Sequence, residues 1–378
     1  MKILIVSGTT LNKGYGIERF IETLVTNQTF DKIEFYIIYP YFKKNEIFSL
    51  NKSNIYYVPI FVPIPTNWPG GRSMQILFFN LIVFFHIASN RLKYDIVHTN
   101  GEKGGLGLLA KKHGTVFTIH GYALDSFRNS KSSLKFLQRF MTLNWSLYAS
   151  LVEKISYLLS AAPVQIGEFS GSRFRDWLPT KEVTQIQNGV KSANIVPGAR
   201  KEIIKKYGIK ENCFIALWIG GDPERKGLMD AIKAVEDKDN VILFIVGYKS
   251  TDLTGNNLKI LGRVSKYELD ELYSSADFLI FPSKYEALPF VVLEAISYGI
   301  PVIGLKKPYM EDIFGPEYSL LCGNSKELSE KVKEICSEND KTLIDIRKSV
   351  KEISLKFTSS KMAKEYLELY NKLINSKV

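Results

Sequence analysis

Residues Phe281–Gly304 read FPSKYEALPFVVLEAISYGIPVIG. The apolar run DFLIFPS (Asp277–Ser283) leads into this stretch and has the length of a buried strand. A turn-rich loop follows it. Pro289 suits the first turn of a helix, where a missing N–H costs little. The helix VVLEAI then ends near Gly299, and IPVIG (Ile300–Gly304) starts another strand. Strand, loop, helix and strand in this order form one unit of a parallel α/β sheet.

The stretch holds two acids. Glu286 falls in the loop and Glu294 about a turn and a half inside the helix, so they are not a facing helical pair. The helix dipole alone accounts for an acid at position 286. It accounts less well for Glu294, which sits in an apolar stretch and needs a partner or a ligand. The backbone at Leu288, Pro289, Phe290 and Val291 opens the helix, and N–H groups there offer a seat for a phosphate.

The same pattern recurs along the chain. CFIALWIGG (Cys213–Gly221), VILFIVG (Val241–Gly247) and LKILG (Leu258–Gly262) alternate with helical segments before the opening stretch. An earlier series runs through KILIV (Lys2–Val6), IEFYII (Ile33–Ile38), DIVH (Asp95–His98), TVFTIH (Thr115–His120), APVQIG (Ala162–Gly167) and TQIQNG (Thr184–Gly189). Two α/β domains are therefore expected, 1–192 and 193–356. A final helix, 357–378, carries a stripe of Met362, Tyr366, Tyr370 and Leu373 that needs an apolar partner. Ligands of open α/β sheets bind beyond the carboxyl ends of strands, so the cleft expected between two such domains is where the motifs would meet.

The motifs lie at those strand ends. Gly14-Tyr15-Gly16 precedes a helix expected from Ile17; it is either an anion-binding loop or a plain βα turn. GGDPERKGL (Gly220–Leu228) places Arg225 and Lys226 at an expected helix start, where cations oppose the macrodipole unless an anion is bound. The alternative is a solvated basic turn. His120 ends a strand and can donate to a phosphate or sugar oxygen; His98 is the weaker candidate of the two. Asn188-Gly189 reads as a turn. HExxH, CxxC, G-x-S-x-G and P-loop patterns are missing, so no metal site is expected.

The 378 residues are 45% hydrophobic and 24% charged, which is globular composition. A net charge of +11 favours anionic partners such as nucleotides or lipid headgroups. Nucleic acid is disfavoured, since no basic–aromatic recognition motif is present. Three cysteines without a CxxC fit a reducing cytosol. The N-terminal apolar run is too short for a signal peptide. The longest apolar run, Ile76–Ser89, falls short of the ~20 residues needed to span a bilayer. It reads as a buried helix or as one lying on a membrane surface.

Together these residues resemble the retaining glycosyltransferases of family four. The opening stretch follows that family's P-S-x-x-E-G-x-P-x-x-x-x-E-A-x-x-x-G-x-P-V pattern, with Ala287 where glycine is usual. GGDPERKGL resembles the phosphate loop, with Gly221 where arginine is common. TQIQNGVK resembles the I-x-N-G-V-D segment, with Lys191 replacing the acid. The resemblance implies a GT-B fold of two Rossmann-like domains, with the last helix crossing back to the N-terminal domain. It implies a metal-independent transfer, with retention, from a nucleotide sugar (UDP- or GDP-linked) to a glycan or lipid-linked acceptor. Glu294 would bind the ribose and Glu286 the donor sugar. Arg225 and Lys226, with Gly16 and Gly221, would hold the diphosphate. Gly262, Arg263 and Val264 would meet the base. His120, with Gly14 and Tyr15, would lie toward the sugar and acceptor. A cytoplasmic enzyme, peripheral at an anionic membrane surface, is the implied setting. An epimerase of the same fold or a non-catalytic nucleotide-sugar-binding protein are the alternatives.

Overall fold

The computed structural model describes residues 1–11, 16–43, 52–64, 71–90, 93–111, 113–130, 136–337 and 340–376. The chain divides into two compact units, Met1–Gly189 with Ser359–Val378, and Val190–Thr358.

The first unit is built on seven parallel strands: β1 (Lys2–Val6), β2 (Glu34–Tyr41), β3 (Ile55–Phe61), β4 (Ile96–Asn100), β5 (Thr115–Ile119), β6 (Ala162–Gln165) and β7 (Thr184–Gln185). Their order is β3-β2-β1-β4-β5-β6-β7. β4 and β5 are buried along their whole length, as expected of parallel strands covered on both faces. The direction of winding reverses between β1 and β4. β3 was not apparent in the sequence, because Pro59 interrupts its apolar run. The strand sits at the sheet edge, where a residue without an N–H is tolerated.

The second unit has six parallel strands: β8 (Phe214–Ile219), β9 (Val241–Val246), β10 (Leu258–Gly262), β11 (Phe278–Phe281), β12 (Val302–Leu305) and β13 (Leu321–Cys322). The order is β10-β9-β8-β11-β12-β13, so the winding reverses between β8 and β11. Trp218, Leu243, Ile245 and Ile280 are among the side chains of its core.

The C-terminal helix Ser359–Asn375 packs within the first unit. Its Met362, Tyr366 and Tyr370 are buried and Leu373 is half-buried. Tyr370 Oη pairs with His98 Nδ1 at 2.7 Å, and Thr118 Oγ1 with His98 Nε2 at 2.7 Å. Tyr366 Oη bonds Thr118 Oγ1 at 2.9 Å, and its ring stacks on His98 with centroids 5.3 Å apart. His98 is therefore a structural clamp between sheet and last helix. Burial, with a smaller push from His120, lowers its pKa from 6.5 to about 3. The unfolded chain takes up this proton as pH falls below 6.5, while the folded chain resists until near 3. Stability is therefore lost on acidification through that window. For one such group the loss is about 1.5 kcal/mol between pH 6.5 and 5. Urea unfolding of His98→Gln should show a shallower acid limb by that amount; equal limbs would remove His98 as the cause.

The apolar run near residue 80 forms the helix Gly71–Asn90. Its twenty residues make it long and apolar enough to cross a membrane, unlike the shorter run read from the sequence. Only one side is buried, with Gln75, Ile76, Phe79, Asn80, Val83 and Ile87 facing the core. The expectation of a buried helix therefore holds for only about one-third of it.

Candidate functional site

In the second unit, the loops that follow β8 and β11 flank the point where the winding reverses, the usual ligand position of such sheets. A backbone bond joins the two loops directly, and others hold each in place. Lys284 N donates to Arg225 O at 2.8 Å, and Trp218 Nε1 to Lys226 O at 3.1 Å. Tyr309 Oη donates to Ser283 O. Gly227 has φ +66°, and a Cβ there would lie 2.4 Å from Pro282 O, so only glycine allows this approach.

That glycine corrects one sequence reading. The helix after it is only Leu228–Lys233, so Arg225 and Lys226 lie in the preceding turn rather than in the helix start. Their charges are not left for a bound anion to offset. Glu286 Oε1 receives Arg225 Nη1 at 2.7 Å, Lys226 Nζ at 2.5 Å and Ser283 Oγ at 2.9 Å. Asp222 adds an ion pair to Arg225 Nε at 3.3 Å. All three donors to Glu286 use one carboxylate oxygen, and none uses Oε2. Burial pushes the Glu286 pKa up, but Lys226 and Arg225 outweigh it and hold the carboxyl below its ordinary value. Burial opposes the Arg225 charge, and Glu286 with Asp222 more than restores it.

Glu294 lies in the helix Phe290–Ser297, with Pro289 immediately before it. It is half-buried, and Tyr273 Oη donates to its Oε2 at 3.0 Å. Tyr273 was missed in the sequence reading, since no local pattern links residues 273 and 294. Its ring stacks on Tyr298 with centroids 5.1 Å apart, which fixes the hydroxyl's direction. Pro289 has no N–H, so the helix entrance cannot present four amides in a row. Ala287 is buried and, like every described residue other than glycine, has no positive φ. Alanine therefore replaces the family's glycine without backbone strain.

Gly220 and Gly247 close the neighbouring strand ends. A Cβ on Gly220 would press on Trp218 and on Lys226 Cγ, at 3.0 Å. Gly221 has room for one, and nothing in the fold demands glycine there. Gly262, at φ +66°, accepts from Gly247 N at 2.6 Å. Arg263 is exposed and Val264 half-buried in the following loop.

In the first unit, His120 ends β5 and is partly exposed. Asn100 Nδ2 donates to Val6 O at 3.2 Å, which turns Asn100 Oδ1 toward His120 Nε2 at 2.9 Å. Nε2 therefore carries the proton, and Nδ1 is the acceptor in the neutral ring. Burial lowers the His120 pKa, so the ring is neutral at pH 7. Asn100 is a positioning residue missed in the sequence, where it reads as an ordinary strand end. Gly16 opens the helix Gly16–Val25 and is exposed, with space around it. Gly14 and Tyr15 lie outside the described residues. Among the described residues no three His, Cys, Asp or Glu side chains cluster to hold a metal.

Residues 199–353 match the family model described as Glycosyl transferases group 1. Arg225, Lys226, Glu286 and Glu294 fall inside that segment; His120 does not. The chain is similar to the alpha-galactosylglucosyldiacylglycerol synthase of Streptococcus pneumoniae, 26% identical over 212 residues, covering 52% of this chain and 56% of that relative. It spans between 32% and 57% of the length of the first four curated relatives it matches. Among solved structures, sucrose-phosphate synthase from Thermosynechococcus elongatus superposes with TM-score 0.78 at 18% identity, covering 100% of both chains. Anabaena Alr3699/HepE in complex with UDP-glucose gives 0.76 at 17%, covering 99% of this chain and 100% of that one. The fold is GT-B, two Rossmann-like α/β domains of parallel sheet.

Proposed function

We propose that this chain is a retaining glycosyltransferase, of the family-four type, that moves a sugar from a nucleoside-diphosphate sugar to a glycan or lipid-linked acceptor without a metal. The observation that carries this reading is the Arg225–Lys226–Glu286 cluster at the winding reversal of the second sheet. The match of residues 199–353 to a glycosyltransferase family supports it. So do the UDP-glucose bound by the Anabaena neighbour and the diacylglycerol product named for the Streptococcus relative.

Residues 193–356 take the donor in this reading, and residues 1–192 the acceptor, with helix 357–378 part of the acceptor domain. UDP or GDP is the donor nucleotide. Glu294, oriented by Tyr273, accepts from the ribose hydroxyls, and the Gly262–Val264 backbone meets the base. Arg225 Nη2 and the remaining Lys226 N–H donors hold the diphosphate with the amides of Phe290 and Val291 and the loop at Gly221. Charge that develops on the leaving diphosphate is met by donors already in place, so little reorganisation is needed. Glu286 keeps Oε1 on the two cations and offers Oε2 to a sugar hydroxyl. His120, in the acceptor domain, offers Nδ1 as a hydrogen-bond acceptor. In this reading the enzyme works at the cytoplasmic face of a membrane, where nucleotide sugars and lipid acceptors meet.

The test is product analysis with candidate donors, with and without acceptor. Nucleoside diphosphate released only with acceptor, and a glycoside of unchanged anomeric configuration, is the expected result. A new nucleotide sugar formed without acceptor would make the chain an epimerase and overturn the proposal. Binding without turnover would make it a binding protein.

A further inference from the structure

The first unit carries a two-helix apolar face that the donor chemistry does not explain. On Gly71–Asn90 the exposed large apolar side chains are Met74, Leu77, Leu81 and Phe85, the last 64% exposed. On the helix Phe136–Leu159 they are Phe140, Leu147, Leu151 and Leu158, with Phe140 63% exposed. Both sets repeat at helical spacing, so each forms one stripe. The stripes adjoin, since Ser73 Oγ donates to Asn144 Oδ1 at 3.1 Å across the exposed seam. Beneath the seam Ile76 packs with Ala149, Trp145 and Tyr148. Soluble proteins rarely leave two neighbouring helices apolar on their outer side.

Charge identifies what covers this face. Gly71–Asn90 contains no acid, and Phe136–Leu159 contains only Glu153, which is buried and receives Ala123 N at 3.2 Å. Arg72 and Arg139 are exposed, one at the start of each helix. The Ser73–Asn144 bond brings these two starts to the same end of the face. Apolar stripes with cations at one end and no exposed acid suit acyl chains under anionic headgroups. A second copy of the chain fits less well, since pairing this face with itself supplies no carboxylate to either arginine. The first helix also cannot leave the fold to span a bilayer. Gln75 Nε2 donates to Ile64 O at 2.5 Å, Leu106 N to Asn80 Oδ1 at 2.9 Å, and His86 Nε2 pairs with Tyr94 Oη at 2.8 Å. Those groups would lose their partners in hydrocarbon.

We propose that the joined outer faces of helices Gly71–Asn90 and Phe136–Leu159 are a docking surface that lies flat on an anionic lipid membrane. The inference deepens the transferase reading by naming the partner surface, but its test needs no nucleotide, so either can fail alone. The full chain is sedimented with vesicles of about one-third phosphatidylglycerol in phosphatidylcholine, and with pure phosphatidylcholine. The wild type is expected to favour the anionic vesicles by about tenfold. Arg72→Gln with Arg139→Gln should erase that preference. Leu81→Ser with Phe85→Ser and Leu151→Ser should lower binding to the anionic vesicles by about tenfold or more. Should the triple variant lose its thermal transition, Phe85→Ser alone carries the same test with a loss of about threefold. A wild type that ignores both vesicles, or serine variants that bind as it does, would overturn the proposal. So would a concentration-dependent dimer that the serine variants convert to monomer.

Discussion

Replacing Lys226 by alanine is expected to lower kcat/KM for the donor by roughly 10²–10³-fold, the cost of losing one donor aimed at developing charge. The fold should survive. The backbone at this position is held independently of the side chain, with Lys226 N donating to Asp222 O at 3.0 Å and Lys226 O accepting from Trp218. Arg225 still satisfies Glu286 in the variant. Activity should therefore fall far more than thermal stability. Kinetics at saturating acceptor, with a melting curve on the same preparation, checks both halves. A rate within a few-fold of wild type would remove Lys226 from the diphosphate site.

Glu286→Gln should separate binding from turnover. The glutamine loses the negative charge that Arg225 and Lys226 share, so Lys226 is freed for an anion while Arg225 keeps only Asp222 as a counter-charge. Binding of a free nucleoside diphosphate should be unchanged or tighter, while sugar transfer falls by about 10²-fold, because Oε2 no longer accepts from the sugar as a carboxylate. Calorimetric titration with the diphosphate and turnover with the sugar donor read the two effects. A parallel loss of both would make Glu286 a structural support only. The pH dependence of stability gives a second readout. The folded carboxyl titrates below 4.5, so its stabilising contribution is complete above that value and is lost as pH falls from there through the lower folded value. The variant should lack that portion of the acid limb.

The sequence was most informative at the strand ends of the second unit. Glycine pairs closing β8, the proline before the helix at Phe290 and the acid inside that helix are all local signals. They point to the candidate site of the second unit without any tertiary contact. What was missed depends on distance along the chain. Tyr273 meets Glu294, and Asn100 meets His120, through bonds spanning about twenty residues that no spacing rule reveals. The cations at 225 and 226 were misplaced because a single left-handed glycine, Gly227, separates them from the helix. β3 was hidden by Pro59, which only an edge position permits. The run Ile76–Ser89 read as a buried helix or as one on a membrane surface, and only packing divides its inner side from its exposed one.

The central claim is that the loops after β8 and β11 and the helix at Phe290 hold a nucleoside-diphosphate sugar. Melting of the wild type with UDP-, GDP- and ADP-sugars, beside Lys226→Ala and Glu294→Ala, tests it most directly, because only a ligand of the folded state raises the transition. One nucleotide class should raise the wild-type melting temperature in a concentration-dependent way, and both substitutions should remove most of that rise. A wild type indifferent to all three nucleotides, or variants that keep the full rise, would contradict it.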